Sequence, residues 1–331
     1  MNARSTRSTS RCGQPRGEFA QRGAALLTAM IIVTLVATLA ASMIWQQWRA
    51  VQVETAERAR MQSAWILGGA LDWARLILRE DARSGGPDHL GEPWAVPLAE
   101  ARLSTFLAAD RSNTEDAPDA FLSGRIVDAQ SRYNLRNLVD REKVVELEQR
   151  TLEKLCETAG VAPELAARIA NGLRDALSQE STAASPGINT PLLPRTVDQL
   201  AWLGVDSEAL KRLRPYVTLL PERRPLNLNT AQREVIAAVI EGADLGSAER
   251  LVQSRQRTPI QSFELARTLL PSGVLLDRDR SRVDVKSDYF EVHGRLRLGD
   301  RALEQRSLVR RMGLEIVQLR RERVSLQESL Q

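Results

Sequence analysis

Two cysteines and two histidines are all that this 331-residue chain offers of the side chains that most often build disulfides, zinc sites and thiol chemistry. Cys12 lies in a basic N-terminal stretch and Cys156 stands alone beyond it. A chain that has lost that stretch therefore holds no intramolecular disulfide, and Cys156 suits an apolar helix position where a thiol acts as a small hydrophobe. His89 and His293 have no companions at zinc-ligand spacing, and neither a phosphate-binding glycine loop nor a serine elbow is present. No enzymatic constellation results. With 43% hydrophobic, 27% charged and only 4% aromatic residues, the material suffices for a membrane helix and one or two compact domains of ordinary size. A formal charge of +4 and a pI near 9.4 first suggest a nucleic-acid partner. Arg4, Arg7, Arg11, Arg16 and Arg22, against the single acid Glu18, account for that excess, and from Ala24 onward the chain is about neutral.

The absence with the largest consequence is that of charge, Pro and Gly from Ala24 to Trp45, AALLTAMIIVTLVATLAASMIW. As a helix, roughly 22 residues at 1.5 Å each reach about 33 Å, enough for a hydrocarbon core of ~30 Å. The basic residues before it place residues 1–23 in the cytoplasm by the positive-inside rule and everything after the span across the membrane. The basic stretch ends in Gln21-Arg22-Gly23 and meets the apolar run directly at Ala24, the layout of a type IV prepilin, cut after the glycine with the apolar segment retained. On these residues alone an uncleaved signal anchor, or a signal peptide cut near Ala40-Ala41-Ser42, is a comparable reading.

Beyond the span, apolar residues keep three- and four-residue spacing through Val53, Ala56, Ala64, Leu67, Leu71 and Ala74, with no strong breaker before Ser84-Gly85-Gly86-Pro87. The pattern predicts that the membrane helix runs on into a soluble domain, roughly 60 residues and ~90 Å of continuous helix. Residues 85–120 read as a connector with one short helix near Leu98 to Ala108, followed by the strand AFLSGRIVDA. From Asp140 to about Leu276 short helices alternate with abrupt turns, with Pro163, Thr196, Asp206 and Ser262 as start signals. The chain then returns to strands: YFEVHGRLRL alternates apolar and polar residues, Gly299-Asp300 signals a turn, ALEQRSLVRR and GLEIVQLRR come next, and the tail is polar. The expected fold is α+β, a long N-terminal helix packed on an antiparallel sheet with a large all-α domain inserted into it. Its segments are a leader (1–23), a transmembrane helix (24–48), a first sheet-domain part (49–139), the insertion (140–280), C-terminal strands (281–321) and a tail (322–331).

This layout, together with VDAQSRYNLRNLV, YVTLLPERRPLNLNTAQREVI and YFEVHGRLRLGDRALEQRSLVRR, resembles the minor pseudopilin K family of type II secretion systems from Gln21 to about Arg321. The resemblance implies a pilin-like fold carrying a large helical insertion, cleavage by prepilin peptidase between Gly23 and Ala24, and N-methylation of Ala24. It also implies a position at the tip of the pseudopilus, in complex with minor pseudopilins I and J and with other pseudopilins beneath them. The rest of the machine would be an inner-membrane platform, an ATPase, the secretin and the exported cargo. Thr28 becomes the fifth mature residue, where most pilin-like subunits carry a glutamate. An unpaired carboxylate in lipid costs at least ~2.5–3.5 kcal/mol, so an uncharged residue suits a subunit with no amine above it, while a threonine bonding its own backbone is the bland alternative. Some relatives bind calcium. Here Asn171-Gly172-Leu173-Arg174-Asp175 replaces their acidic run, and Asp277 and Asp279 alternate with Arg278 and Arg280, so the resemblance assigns no calcium ligands.

The main competitor is a membrane-anchored DNA-binding receptor. LNLNTA with the helices after it, Gly242 and Gly246 resembles helix-hairpin-helix units, in which backbone N–H groups at a helix start hold a phosphate. Arg233, Arg250, Arg255 and Arg257 are interleaved with Glu234, Glu241, Asp244 and Glu249, the pattern of a solvated surface, so no nucleic acid is expected.

Overall fold

The computed structural model describes residues 18–103, 120–181, 192–298 and 301–324. The expectations for residues 1–17, 104–119, 182–191, the turn at 299–300 and the tail from 325 lie outside the described residues.

Helix α1 runs unbroken over 67 residues, Glu18–Ser84, so the helix does continue well past the apolar segment. The chain divides into two units between Ala64 and Trp65. In the first, the apolar side chains are exposed all round the helix, as at Leu27 (62%), Ile31 (62%) and Trp45 (59%). None of the other described residues covers them, and a helix that is apolar on every face is suited to lipid.

In the second unit α1 is amphipathic. Leu67, Leu71, Ala74 and Leu78 are buried at helical spacing against one antiparallel sheet. That sheet has the order β1-β2-β9-β10-β11, with β1 Leu98–Arg102, β2 Ala120–Asp128, β9 Tyr289–Leu298, β10 Arg301–Met312 and β11 Glu315–Val324. Period-two alternation puts Ile126, Phe290, Val292, Leu296 and Val309 under the helix, and Trp94 meets Phe290 edge-on at 5.2 Å. Gly124 and Gly294 face each other in register. A Cβ at Gly124 would come within 2.6 Å of the His293 carbonyl, so that position requires the missing side chain, whereas one at Gly294 would lie 3.2 Å from Leu67 and press that side chain aside by a few tenths of an ångström. Of the short helix expected near Leu98 to Ala108, residues 98–102 are instead the edge strand β1, paired with β2 from Leu98↔Gly124 to Arg102↔Phe121, and residues 104–108 lie outside the described residues. LAEAR has helix-forming residues, but the open edge of β2 offers a ladder that an isolated turn of helix cannot match.

Between β2 and β9 the chain leaves the sheet and builds a separate core of buried Leu, Ile, Val and Ala side chains. In order come β3 Tyr133–Asn134, β4 Val139–Asp140, β5 Lys143–Val144, α2 Glu146–Thr158, α3 Glu164–Ser181 and α4 Ser207–Leu213. Next are β6 Val217–Thr218, β7 Leu226–Asn227, α5 Arg233–Val239, α6 Leu245–Arg257, α7 Phe263–Leu269 and β8 Val283–Asp284. Start signals act as caps: Asp206 accepts from Glu208 N (3.0 Å) and Ala209 N (2.9 Å), Ser262 from Leu265 N (3.3 Å) and Thr196 from Gln199 N (3.2 Å). Cys156 is fully buried in this core. The helical pattern predicts an all-α block, and the structure corrects this. Parallel pairs β3–β6 and β7–β8 and the hairpin β4–β5 stitch its segments together, each strand only two residues long and so without a readable period.

Candidate functional site

The hydroxyl of Thr28 donates to Ala24 O (3.1 Å) and Ala25 O (2.9 Å), and Thr34 and Thr38 do the same to Ile31 O and Leu35 O at 2.9 Å. Every one of these polar groups is satisfied within the helix, as a lipid environment demands. Gly23 and Ala24 lie inside α1, one turn before Thr28.

The densest polar construction lies where the helical block joins the sheet. Asp128, the last residue of β2, accepts through Oδ2 from Asn227 (3.0 Å), Thr230 (2.6 Å) and Ser287 (2.6 Å), and through Oδ1 from Gln130 N (2.7 Å). Burial pushes its carboxyl up to about 6, against the lowering by Ser287, Thr230 and the Gln130 amide. Next to it, Arg311 of β10 bonds Asp88 (2.6 Å) and the Ser287 carbonyl (2.6 Å), and reaches Asp81 at the end of α1 (2.7 Å). Asp88 also takes the Ser287 N–H (2.7 Å). Burial raises both aspartates and Arg311 lowers them.

Three further side chains extend this joint by gripping backbone. Gln130 donates to Pro225 O (3.0 Å) and accepts from Asp288 N (2.7 Å), Asn134 bridges Glu222 O (2.8 Å) and Leu220 N (3.1 Å), and Asn137 pairs with both Arg224 O (2.9 Å) and Arg224 N (3.0 Å). Glu222 in turn takes the Tyr289 hydroxyl (2.7 Å) and Arg310 (2.9 Å). The three stretches that carry the resemblance are therefore partners in one network, in which the first supplies side chains, the second backbone together with the side chains of Glu222, Asn227 and Thr230, and the third the strands. The stretches stand out in the sequence but these roles do not, because the long-range partners are 60 to 230 positions apart. The signal that could have found them is Asn, Gln and Asp in otherwise apolar surroundings, since polar groups that become buried need partners.

A second buried set braces the block internally. Arg282 bonds Glu148 (2.9 Å) and Thr151 (2.7 Å), and the Tyr133 hydroxyl donates to Glu148 (3.0 Å). Asp279 caps Leu276 N (2.9 Å) and is fully buried, while Asp277 is exposed and paired with Arg267 and Arg280. Arg174 is bonded to Asp175 at 2.8 Å. The aspartates weighed for calcium are thus engaged with arginines or backbone and do not fit an oxygen cage. Among the described residues, Asp81, Asp88 and Glu92 bring three carboxylates together. Arg311 is already bonded to two of them and Glu92 accepts from His89 N (2.8 Å) and Trp94 Nε1 (2.7 Å), so these carboxylates are engaged within the chain.

Arg233 of α5 is paired with Glu234 (2.8 Å) and with Glu249 of α6 (3.1 Å), and Arg278, beyond α7, with Glu241 in the turn between α5 and α6 (2.8 Å). Arg255 turns inward to the Leu228 carbonyl, and Asn229 is spent on the backbone of Ile260 (2.9 Å). Of the four arginines weighed for DNA, Arg250 and Arg257 stay exposed without an ion pair among the described residues, too few to replace a phosphate counterion layer.

A helix long and apolar enough for one membrane pass, and an antiparallel sheet joined by buried polar side chains to the helical block inserted in it, define a protein of α+β class. Two family models match, both described as type II secretion system (T2SS), protein K, over residues 131–222 and 226–286. The type II secretion system protein K of Pseudomonas aeruginosa is 31% identical over 304 residues, covering 85% of this chain and 86% of that one. The protein K of Pectobacterium carotovorum is 26% identical, covering 91% of this chain and 96% of its own length. The chain belongs to the type II secretion system protein K family. Its fold is similar to a chain in the crystal structure of the GspK-GspI-GspJ complex of enterotoxigenic Escherichia coli, with a TM-score of 0.59 at 18% identity, covering 82% of this chain and 98% of that one.

Proposed function

We propose that this protein is a minor pseudopilin at the tip of the type II secretion pseudopilus, where it helps to initiate assembly and to export folded proteins across the outer membrane. Membership of the protein K family carries the reading. Its working partners are minor pseudopilins I and J, in keeping with the complex formed by its structural relative, together with the other pseudopilins and the inner-membrane platform, with secretin and cargo as further candidates. The anchor is a single pass in the inner membrane, with the leader cytoplasmic and the remainder periplasmic, a polarity supported by the leader arginines. Prepilin peptidase cuts between Gly23 and Ala24, and Ala24 is N-methylated. The sheet part is pilin-like, the inserted block is the whole stretch between β2 and β9, wider than the 140–280 expected from the sequence, and its helix-hairpin-helix-like units pack rather than bind DNA.

At the tip Thr28 has no amine above it to pair, so a glutamate there would bring an uncompensated carboxylate into lipid. The mass and N-terminal residue of the protein extracted from membranes test the maturation step. A start at methylated Ala24 is expected, whereas a start at Met1 means a signal anchor and one at Ser42 or Met43 a secretory signal. Deleting the protein should leave an exported enzyme trapped in the periplasm, and unaltered export would contradict the role.

A further inference from the structure

On the face of the sheet turned away from α1, cross-strand register sets Arg125 of β2, His293 of β9 and Arg306 of β10 side by side. The next pair along is Arg295 and Glu304. Arg132, just past the end of β2, reaches over to Glu291 at 2.8 Å, and His293 Nε2 lies 3.5 Å from the same carboxylate. Burial pushes the Glu291 carboxyl up, but Arg132, His293 and Arg306 outweigh it and hold the group well below the usual carboxylate range. Arg132, His293 and Arg306 thus converge on Glu291, with Arg125 and Arg295 beside them on the same face. The neighbouring Glu322 is engaged by Arg320 at 2.6 Å.

Among the described residues, Arg132 Nε and Arg306 Nε are buried donors without an acceptor, and the His293 side chain, only 10% exposed, has its Nδ1 without a partner. Arg125 and Arg295 stand exposed at the rim. Buried donors without acceptors are uncommon and mark a place that water, an ion or a partner group completes. Resident Glu291 and Glu304 would repel a multiply charged phosphate more than a single carboxylate, and arginine forks match carboxylate geometry.

We infer that this face is a docking site for an aspartate or glutamate side chain of a partner subunit in the assembly; the inference rests on the pseudopilin reading. The carboxylate is received by Arg125 and Arg295 at the rim, backed by the donors around Glu291.

The test uses the full-length protein co-expressed with minor pseudopilins I and J and purified in detergent. Arg125→Glu with Arg295→Glu should reduce the co-purified partners about tenfold, the loss expected for reversing a close interfacial charge pair, with an unchanged unfolding midpoint. In the Arg125→Lys and Arg295→Lys variants, which keep the charge, zero-length carbodiimide coupling should join the substituted position to an acidic residue of a partner, identified by mass spectrometry. A complex insensitive to charge reversal, or coupling confined to this chain's own Glu291 and Glu304, overturns the site while leaving the pseudopilin reading intact. Reversal that abolishes binding to phosphatidylglycerol vesicles but spares the complex overturns it in favour of lipid. Failure of the unaltered protein to form any complex sinks both.

Discussion

Arg311 shows how much of this fold hangs on single polar contacts over long sequence distances. It is 11% exposed and answers Asp88, Asp81 and the Ser287 carbonyl together. Arg311→Ala would leave two carboxylates buried without their cation, so a loss of about 3–5 kcal/mol is expected, read from urea unfolding in detergent. A change below about 1 kcal/mol would mean that water replaces the guanidinium without penalty. Asp128 gives a pH signature instead. Its carboxyl is raised from 3.8 to about 6, so between those values the folded chain holds a proton that the unfolded chain releases. The stability this contributes is complete below about pH 4, fades as pH rises to about 6 and does not change further above it. Asp128→Asn should remove that slope, altering the stability difference between the two chains by on the order of 2–3 kcal/mol across the window. Parallel pH curves for the two chains would contradict the assignment. Neither residue's role was legible beforehand, since an aspartate at a strand end and an arginine on a later strand look like surface residues until the chain has folded.

Among the elements, those with a period of their own were legible and those that borrow their shape from neighbours were not. The 3.6-residue spacing of Leu67, Leu71, Ala74 and Leu78 and the alternation along β9 define both the helix face and the sheet face that meet. Caps at Asp206 and Ser262 mark two helix starts, because capping is local. The strand β1 reads as helix because its five residues favour one until β2 is beside them, and the two-residue strands of the helical block carry no pattern at all. Leu78, fully buried between α1 and the sheet, should cost about 2–5 kcal/mol when changed to Ala, whereas Trp65→Ala, at a side 81% exposed, should stay within about 0.5 kcal/mol. Equal losses in chemical denaturation would mean that the buried face of the helix is not the one described.

For the molecule as a whole, the membrane anchor and the order of parts were readily legible, because a long uncharged run and a change from helical to strand periodicity need no tertiary information. The joint that binds the helical block to the sheet needed the structure. The same three stretches that carry the family resemblance close on one another there, which accounts physically for why they occur together in this chain: each holds the others' backbone or charge. Such a joint ties the helical block to the sheet at many points, which suits a subunit proposed to cap a filament. The most direct test of that role is to overproduce pseudopili in cells, label this protein with a gold-conjugated antibody, and view the filaments by electron microscopy. A single cluster of gold at one end of each filament is predicted. Gold spaced along the filament length would contradict a place at the tip.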